Sequence, residues 1–405
     1  MIRSKSSFLL SSIKRGIPLQ GLNNKTLLNI NNNSNINNNE TTLLNKYYTS
    51  NCSTTKPYVK QFSSESLWNK ISDNTKKLVE NLQTENTLYL SRLITLIEST
   101  RDDHQEQARM VVSYLLQRSK ENNTQYKSFR IGISGPPGAG KSTFIEAFGK
   151  HLTSLNHKVA VLAIDPSSVR SGGSVLGDKT RMVELSVDPN AYVRPSSTRG
   201  SLGGICKSTS DTIVLCESAG FDVVLVETVG VGQSEVSIDE MIDIFVLLVP
   251  PANGDELQGL KKGIMESADL IVVNKADGEL LPKARFTVSE YMSALKLQRP
   301  KSENWKATVI SCSSLSKEGI DNVWNMMMKY KDTMLKCGEF KYKRSLQKET
   351  FMKKLIDDEI VQKLWADPNV QRLLPSLEAQ VREGNISPSL ASINIINEFL
   401  KDKKD

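Results

Sequence analysis

One glycine-rich stretch strongly limits what this chain can fold into. Residues 135–142 read Gly-Pro-Pro-Gly-Ala-Gly-Lys-Ser, which fits the phosphate-binding pattern GxxxxGK[ST]. A β-branched run, Phe129–Ser134, precedes the stretch, and a helical pattern over residues 142–153 follows it. In this context the loop turns its backbone N–H groups toward phosphate oxygens, and the helix N-terminus adds partial positive charge. The sequence therefore predicts a site for the phosphates of a nucleotide.

Three side chains at the end of this stretch have distinct expected roles. Lys141 should reach the β- and γ-phosphates, the Ser142 hydroxyl should bind Mg²⁺, and Thr143 should contact the α-phosphate. The predicted phosphate-binding residues are Gly135, Pro136, Pro137, Gly138, Ala139, Gly140, Lys141, Ser142 and Thr143.

Short β-branched runs alternate with helical stretches from Phe129 onwards. This alternation predicts an α/β protein of the P-loop NTPase type, in which helices flank both faces of a mostly parallel central sheet. The strands are expected at residues 129–134, 159–164, 223–227, 244–249, 270–273 and 308–311.

Three acidic residues are candidates to act on the metal and on the attacking water. Asp165 closes the run 159–164, Glu227 closes the run 223–227 where a Walker B acid falls, and Asp178 lies in a glycine-rich segment. Ligands of doubly wound sheets bind at the carboxyl ends of the strands, and Mg²⁺ takes oxygen ligands. We predict that Lys141, Asp165, Asp178 and Glu227 are catalytic, and that Ser142, Asp165, Asp178 and Glu227 form the metal site. Glu227 either orients water or holds a Mg²⁺-bound water; the sequence leaves both open.

The segment Asn274-Lys275-Ala276-Asp277 follows an apolar run and favours guanine over adenine. A carboxylate at Asp277 can accept hydrogen bonds from both the ring N1–H and the exocyclic amine of guanine, and adenine offers no such pair. Asn274 would bond the base or brace the loops, and the Lys275 stem would cover the base. After the next strand, Ser311, Cys312 and Ser313 are expected to complete the base pocket.

The domain organisation follows from these patterns. We expect residues 1–60 to be a transit peptide with an Asn-rich disordered leader, and residues 65–125 to form an N-terminal helical segment. Residues 126–336 should be the P-loop GTPase domain. Residues 337–405 should form a C-terminal helical arm, interrupted near Pro368, Pro375 and Pro388.

The leader carries the whole excess of positive charge. Residues 1–60 hold eight Lys or Arg and one acid, whereas the rest of the chain has 44 of each sign. The first 39 residues contain no acid at all, which is typical of a mitochondrial transit peptide. The neutral remainder argues against a nucleic-acid surface, and no stretch reaches the roughly 18 apolar residues that span a bilayer.

The few cysteines and histidines limit the metal chemistry of the chain. Five Cys are widely spaced without a CxxC pair, and there are only three His. A disulfide framework, a structural zinc site and a Cys/His metal-delivery cluster are therefore not expected.

Several longer motifs resemble the methylmalonic aciduria type A proteins and their bacterial counterparts, the MeaB-like and ArgK-like GTPases. They are Asp-Pro-Ser-Ser at 165–168, Leu-Gly-Asp-Lys-Thr-Arg-Met at 176–182, Glu-Thr-Val-Gly-Val-Gly-Gln-Ser-Glu at 227–235 and Gly-Asp-Glu-Leu-Gln-Gly-Leu-Lys-Lys-Gly at 254–263. The resemblance begins near residue 86, is weakest in the last sixty residues and is absent from the leader.

This resemblance implies a mitochondrial matrix GTPase that uses GTP and Mg²⁺. Such proteins gate the delivery of adenosylcobalamin from an adenosyltransferase to methylmalonyl-CoA mutase, and they protect the mutase. They are homodimers with a C-terminal helical dimerisation arm. The family's mobile coupling loop falls on residues 250–261, whose most interesting charges are Asp255 and Lys261.

Three other functions could use the same nucleotide site. A metal-insertion GTPase of the nickel-enzyme maturation type shares the site, but the scarcity of Cys and His speaks against it. No feature resembles the acceptor site of a kinase, and the intact Lys141, Ser142 and Glu227 argue against a scaffold that no longer hydrolyses GTP. No arginine finger is evident, so turnover of the isolated protein should be slow.

Overall fold

A single parallel sheet organises the part of the chain that the computed structural model describes, residues 63–84, 86–165, 182–197, 202–228, 238–251 and 262–401. The strand order is β3-β2-β4-β1-β5-β6-β7, and all six pairs of neighbouring strands are parallel. The strands are β1 Phe129–Ser134, β2 Val159–Asp165, β3 Ala191–Ser197, β4 Val223–Thr228, β5 Ile244–Val249, β6 Leu270–Val273 and β7 Thr308–Ser311. The predicted fold class and its six strands are confirmed.

Strand β3 was not predicted from the sequence. Its residues include Arg194 and Pro195, which interrupt the apolar pattern expected of a strand buried on both faces. β3 lies at one edge of the sheet and pairs only with β2 among the described strands. Proline is tolerated in such an edge strand because the N–H groups on the free side of the strand make no hydrogen bond to another strand.

Helices cover both faces of the sheet. Before β1 come α1 Ser64–Trp68, α2 Asp73–Glu80, α3 Leu88–Ile97 and α4 Asp102–Glu121. Between the strands lie α5 Lys141–Ser154, α6 Val183–Ser186, α7 Leu202–Ser218, α8 Lys262–Ser267 and α9 Leu281–Lys296. After β7 come α10 Ile320–Lys336, α11 Glu339–Ala366, α12 Pro368–Arg382 and α13 Pro388–Lys401.

Alternate residues of the strands enter two separate cores, because successive side chains of a strand point to opposite faces. Val224 and Val226 of β4 pack with helices α2, α3, α4 and α7 on one face. Val223 and Leu225 pack with α5 and α10 on the other. Both faces of the central strands are therefore dry, as a parallel sheet requires.

The prediction of a helix break at Pro375 is wrong. Pro368 and Pro388 do begin helices, but Pro375 lies inside α12. Val370 and Leu377, on either side of Pro375, both pack into a small core with α13. This packing holds the helix together across the position where proline cannot donate a backbone hydrogen bond.

A buried ion-pair cluster joins α11 to the amino ends of the strands. Arg344 donates from Nε and Nη2 to the two carboxylate oxygens of Asp243, each at 2.7 Å. The backbone N–H of Arg130 in β1 donates to the same carboxylate, and the Arg130 side chain binds Glu217 of α7. Burial alone would raise the pKa of Glu217, but Arg130 and Arg344 outweigh it and lower that pKa to about 2.

We expect an Arg344→Met substitution to lower the free energy of unfolding by about 3–5 kcal/mol, because it leaves the Asp243 carboxylate buried without its partner. Denaturant unfolding would measure the loss. Arg372→Met, at an exposed position of α12, is the matched control and should change stability by about 0.5 kcal/mol or less. Equal stability of the two variants would contradict the structural role of the cluster.

Candidate functional site

The glycines of the phosphate-binding loop are required by its path. A Cβ at Gly135 would lie 2.0 Å from the carbonyl oxygen of Leu248 in β5, which is far inside van der Waals contact. Gly138 and Gly140 have φ values of 82° and 83°, in the left-handed region that side chains disfavour. The loop therefore passes close against β5 and turns directly into α5, whose first residue is Lys141.

The side chain of Lys141 lies folded over its own loop. Its Nζ donates to the carbonyl oxygens of Gly135 at 2.8 Å and Pro136 at 3.3 Å. Burial lowers the pKa of Lys141, and the nearby negative charge of Glu227 partly offsets that effect. The ammonium group is thus held against the backbone of the phosphate-binding loop, and the carboxylate of Glu227 is near enough to affect its pKa.

Ser142 and Glu227 are in direct contact. The Ser142 hydroxyl donates to Oε1 of Glu227 at 3.2 Å. The contact forms because β4 lies beside β1, with Glu227 in register with Ile133 shortly before the loop. Glu227 is buried and lies within β4, one residue before the strand ends. A hydroxyl and a carboxylate from distant parts of the sequence thereby meet at one point.

The other two acidic candidates are only partly placed. Asp165 is the last residue of β2, and β2 pairs with β4, so its backbone ends at the same edge of the sheet as Glu227. The side chain of Asp165 and the whole of Asp178 lie outside the described residues, as do residues 252–261 of the segment on which the family's coupling loop is expected to fall.

Asn274 joins the base-recognition segment to the phosphate-binding loop. Its Nδ2 donates to the carbonyl oxygen of Ala139 at 3.0 Å. Its Oδ1 accepts from both the backbone N–H and the hydroxyl of Ser314, at 3.1 and 2.7 Å. Of the two tasks considered for Asn274, the structure shows the bracing of loops. Sequence reasoning missed Ser314, although it continues the polar run that begins at Ser311.

Asp277 is held by the segment after β7. The Ser313 hydroxyl donates to Oδ2 of Asp277, and the backbone of Cys312 accepts from the N–H of Ala276 at 3.0 Å. Lys275 has a φ of 58°, a left-handed conformation that turns the chain sharply between Asn274 and Asp277. Ser311 ends β7. The two predicted base segments therefore lie together at the carboxyl edge of the sheet.

The thiol of Cys312 is part of the interior rather than a reactive group. Cys312 is buried, and burial raises the pKa of its thiol to about 12. A thiol with this pKa stays protonated at neutral pH. Its Sγ lies 3.9 Å from Oδ1 of Asn274, so the side chain fills space behind the base segment.

The family model described as "Methylmalonyl Co-A mutase-associated GTPase MeaB" matches residues 90–369. This chain belongs to that family. The mouse protein "Methylmalonic aciduria type A homolog, mitochondrial" is 48% identical over 81% of each chain. GTPase ArgK of Escherichia coli is 39% identical, over 77% of this chain and 92% of its own. A solved structure titled "LAO/AO transport system kinase" is 32% identical, with a TM-score of 0.63, over 81% of this chain and 98% of its own.

Membership of the MeaB family confirms the prediction of a GTP-hydrolysing enzyme. Several relatives are named GTPases, and the described part of the site contains the phosphate-binding loop and the base segment in the expected strand order. Among the described helices, none is both long and apolar enough to cross a membrane.

Proposed function

We propose that this MeaB-family GTPase controls the delivery of adenosylcobalamin to methylmalonyl-CoA mutase and protects that enzyme in the mitochondrial matrix. The contact between Ser142 and Glu227, at 3.2 Å, carries the hydrolytic part of the proposal. The family description names the mutase, and the mouse relative is named as mitochondrial. The acid-free start of the chain supports import into mitochondria.

In the proposed mechanism this chain mainly positions and neutralises charge, as phosphoryl transfer requires. Backbone N–H groups of residues 138–143 would bind the phosphate oxygens. Lys141 would leave its carbonyl partners, Gly135 and Pro136, and move to the β- and γ-phosphates. This exchange is favourable because an ammonium group binds charged phosphate oxygens more strongly than neutral carbonyl oxygens.

The donor set beside the loop fits Mg²⁺. A hydroxyl oxygen of Ser142 and a carboxylate oxygen of Glu227 lie within hydrogen-bond distance, and Mg²⁺ prefers such hard oxygen donors and keeps several waters. When bound, Mg²⁺ would neutralise charge on the β- and γ-phosphate oxygens. Glu227 would hold a water, either one bound to the metal or the attacking one. Asp165 and Asp178 are the further acids that we propose to act on the metal and the water.

Guanine recognition is assigned to Asp277, oriented by the hydroxyl of Ser313. Its carboxylate would accept two hydrogen bonds from the base. Asn274 would act indirectly, since its amide already spans Ala139 and Ser314. The aliphatic stem of Lys275 would cover the ring.

Two matched substitutions should separate catalysis from recognition. Glu227→Gln should lower kcat for GTP about a hundredfold or more while KM changes little, because the amide keeps the shape but loses the charge that acts on water.

Asp277→Asn should raise KM for GTP about ten- to a hundredfold with kcat largely kept, because it loses charged hydrogen bonds to the base. Steady-state hydrolysis assays measure both constants. A rise in KM alone for Glu227→Gln would overturn its assignment.

The mutase part of the proposal predicts a stimulated rate of hydrolysis. Purified methylmalonyl-CoA mutase at saturation should raise the GTPase rate of the wild-type protein, because the partner would order the segments that complete the site. The Glu227→Gln variant should bind the mutase equally well but show no comparable stimulation. A pull-down from mitochondria with a non-hydrolysable GTP analogue should recover the mutase. An unchanged rate of GTP hydrolysis with the mutase bound would contradict the gating mechanism. Failure of the mutase to bind would contradict the assignment of the partner. An adenosyltransferase is a further proposed partner.

We also propose that the helical arm formed by α11, α12 and α13 makes a homodimer. Apolar side chains along α11 and α13 are about half exposed to solvent, which is unusual for a helix surface unless it meets another protein. These side chains are Leu346, Met352, Ile356, Ile360, Val361 and Trp365 on α11, and Leu390, Ile393, Ile396 and Leu400 on α13.

Sedimentation of the wild-type protein should give a dimer, and the double variant Ile356→Glu/Ile360→Glu should be a monomer, because two buried carboxylates would face the partner. Gln362→Lys, at an exposed position of α11 on the side of the helix turned away from Ile356 and Ile360, is the control and should remain a dimer. A double variant that still sediments as a dimer would place the interface elsewhere.

A further inference from the structure

A cavity separate from the nucleotide site, here called the second cavity, lies at the opposite edge of the sheet. Its volume is about 420 Å³, and it lies between α8, α9 and the segment that leads into β7. The strands are parallel, so the amino ends of β6 and β7 at this cavity are far from the carboxyl ends that hold the phosphate-binding loop. The volume falls in the range of about 300–1,000 Å³ typical of small-molecule sites.

The charge around this cavity is mainly positive. Lys296, Arg299, Lys301 and Lys306 line it, against two acids, Glu266 and Asp269. Lys301 is already paired, with its Nζ 2.7 Å from a carboxylate oxygen of Asp239 and 3.7 Å from Asp269.

The other three cations have no salt bridge to any residue that the structure describes. Lys296, Arg299 and Lys306 are also exposed. Three unpaired positive charges around one concave surface favour an anionic ligand, since charge-assisted hydrogen bonds to Lys and Arg are the stronger kind.

The remaining wall is apolar, and its indole is held in place by two contacts. Met265, Met292 and Leu295 contribute apolar side chains, and Met292 is about half exposed. Trp305 donates its ring N–H to the carbonyl oxygen of Asp269 at 2.9 Å. Its ring also meets Tyr330 edge-on, with 5.1 Å between the ring centroids. A flexible methionine pair beside a rigid indole suits a flat, apolar ligand body.

One donor in the wall lacks an acceptor. Nε2 of Gln298 is shielded from solvent and has no hydrogen-bond partner within the described part of the chain, and Gln298 lines the cavity. An unsatisfied buried donor costs about 1–3 kcal/mol. A ligand that brings an acceptor atom next to this amide would remove that cost.

We propose that this cavity is a binding site for a small organic anion, one that carries a phosphate-like charge on an apolar, ring-sized body. The cations at 296, 299 and 306 would bind the charged group, and Met265, Met292 and Trp305 would enclose the body. The site is separate from the nucleotide site, so its ligand and GTP bind together.

Calorimetric titration of the full-length protein with 1-naphthyl phosphate tests the proposal. Saturating GDP and Mg²⁺ keep the probe away from the phosphate-binding loop. The probe should bind at least tenfold more tightly than inorganic phosphate or 1-naphthylmethanol, because each of these offers only half of the required chemistry.

Two triple variants of equal charge change locate the binding. Lys296→Gln/Arg299→Gln/Lys306→Gln should weaken the probe at least tenfold. Lys329→Gln/Lys336→Gln/Arg372→Gln, at exposed positions outside the cavity, should change it less than twofold. Met292→Gln should weaken 1-naphthyl phosphate but not inorganic phosphate. GTP hydrolysis and the thermal midpoint of each variant, both expected to match wild type, show that it is folded.

Three results would overturn the proposal. Equal weakening by both triple variants would mean diffuse attraction to a basic surface. Binding of 1-naphthylmethanol as tight as that of the phosphate would mean a plain apolar patch. Tighter binding of a hexaglutamate peptide than of 1-naphthyl phosphate would assign the surface to an acidic protein partner instead.

Discussion

The nucleotide site depends on the hydrogen bonds that the side-chain amide of Asn274 makes. This amide is buried and links the carbonyl of Ala139 in the phosphate-binding loop to Ser314 after β7. Three loops that follow three different strands are thus fixed to one another through a single side chain. Gly140 is part of the same arrangement, because a Cβ there would lie 2.8 Å from Nδ2 of Asn274. The distance between phosphate and base recognition is therefore set by the protein itself.

The opposite edge of the sheet is built on charge. Arg344, at the start of the arm helix α11, reaches the carboxylate of Asp243, which also receives the N–H of Arg130. Lys343 on the same helix adds a hydrogen bond to Asp239 and to the backbone of Asp243. The arm is thereby joined to the amino ends of β1 and β5. The carboxyl ends of the same two strands contact the phosphate-binding loop. The Arg344–Asp243 pair at this junction is almost fully desolvated, so breaking it would leave a buried charge without its partner.

Much of the site could be predicted because its chemistry requires particular residue types at fixed spacing. Lys141, Ser142, Glu227 and Asp277 were predicted in this way, and the structure brings Ser142 to Glu227 and Asp277 to Ser313. Ser314 escaped prediction because a serine is common in loops, and only its two bonds to Asn274 distinguish it. The edge strand β3 escaped because Arg194 and Pro195 break the apolar pattern. Arg194 is nevertheless accommodated, by an ion pair at 2.6 Å with Glu98, the residue that follows α3.

The sequence by itself determined six of the seven strands of the described sheet, their mostly parallel sense and the identity of the loops at the carboxyl edge, since periodicity and backbone requirements are local properties. Only the tertiary structure decided the features that need contacts between segments far apart in the chain. It selected the bracing role of Asn274, carried α12 through Pro375 by packing Val370 and Leu377 against α13, and gathered the cations around the second cavity. Such features arise from distances between residues that are remote in sequence, and those distances are fixed only when the cores close.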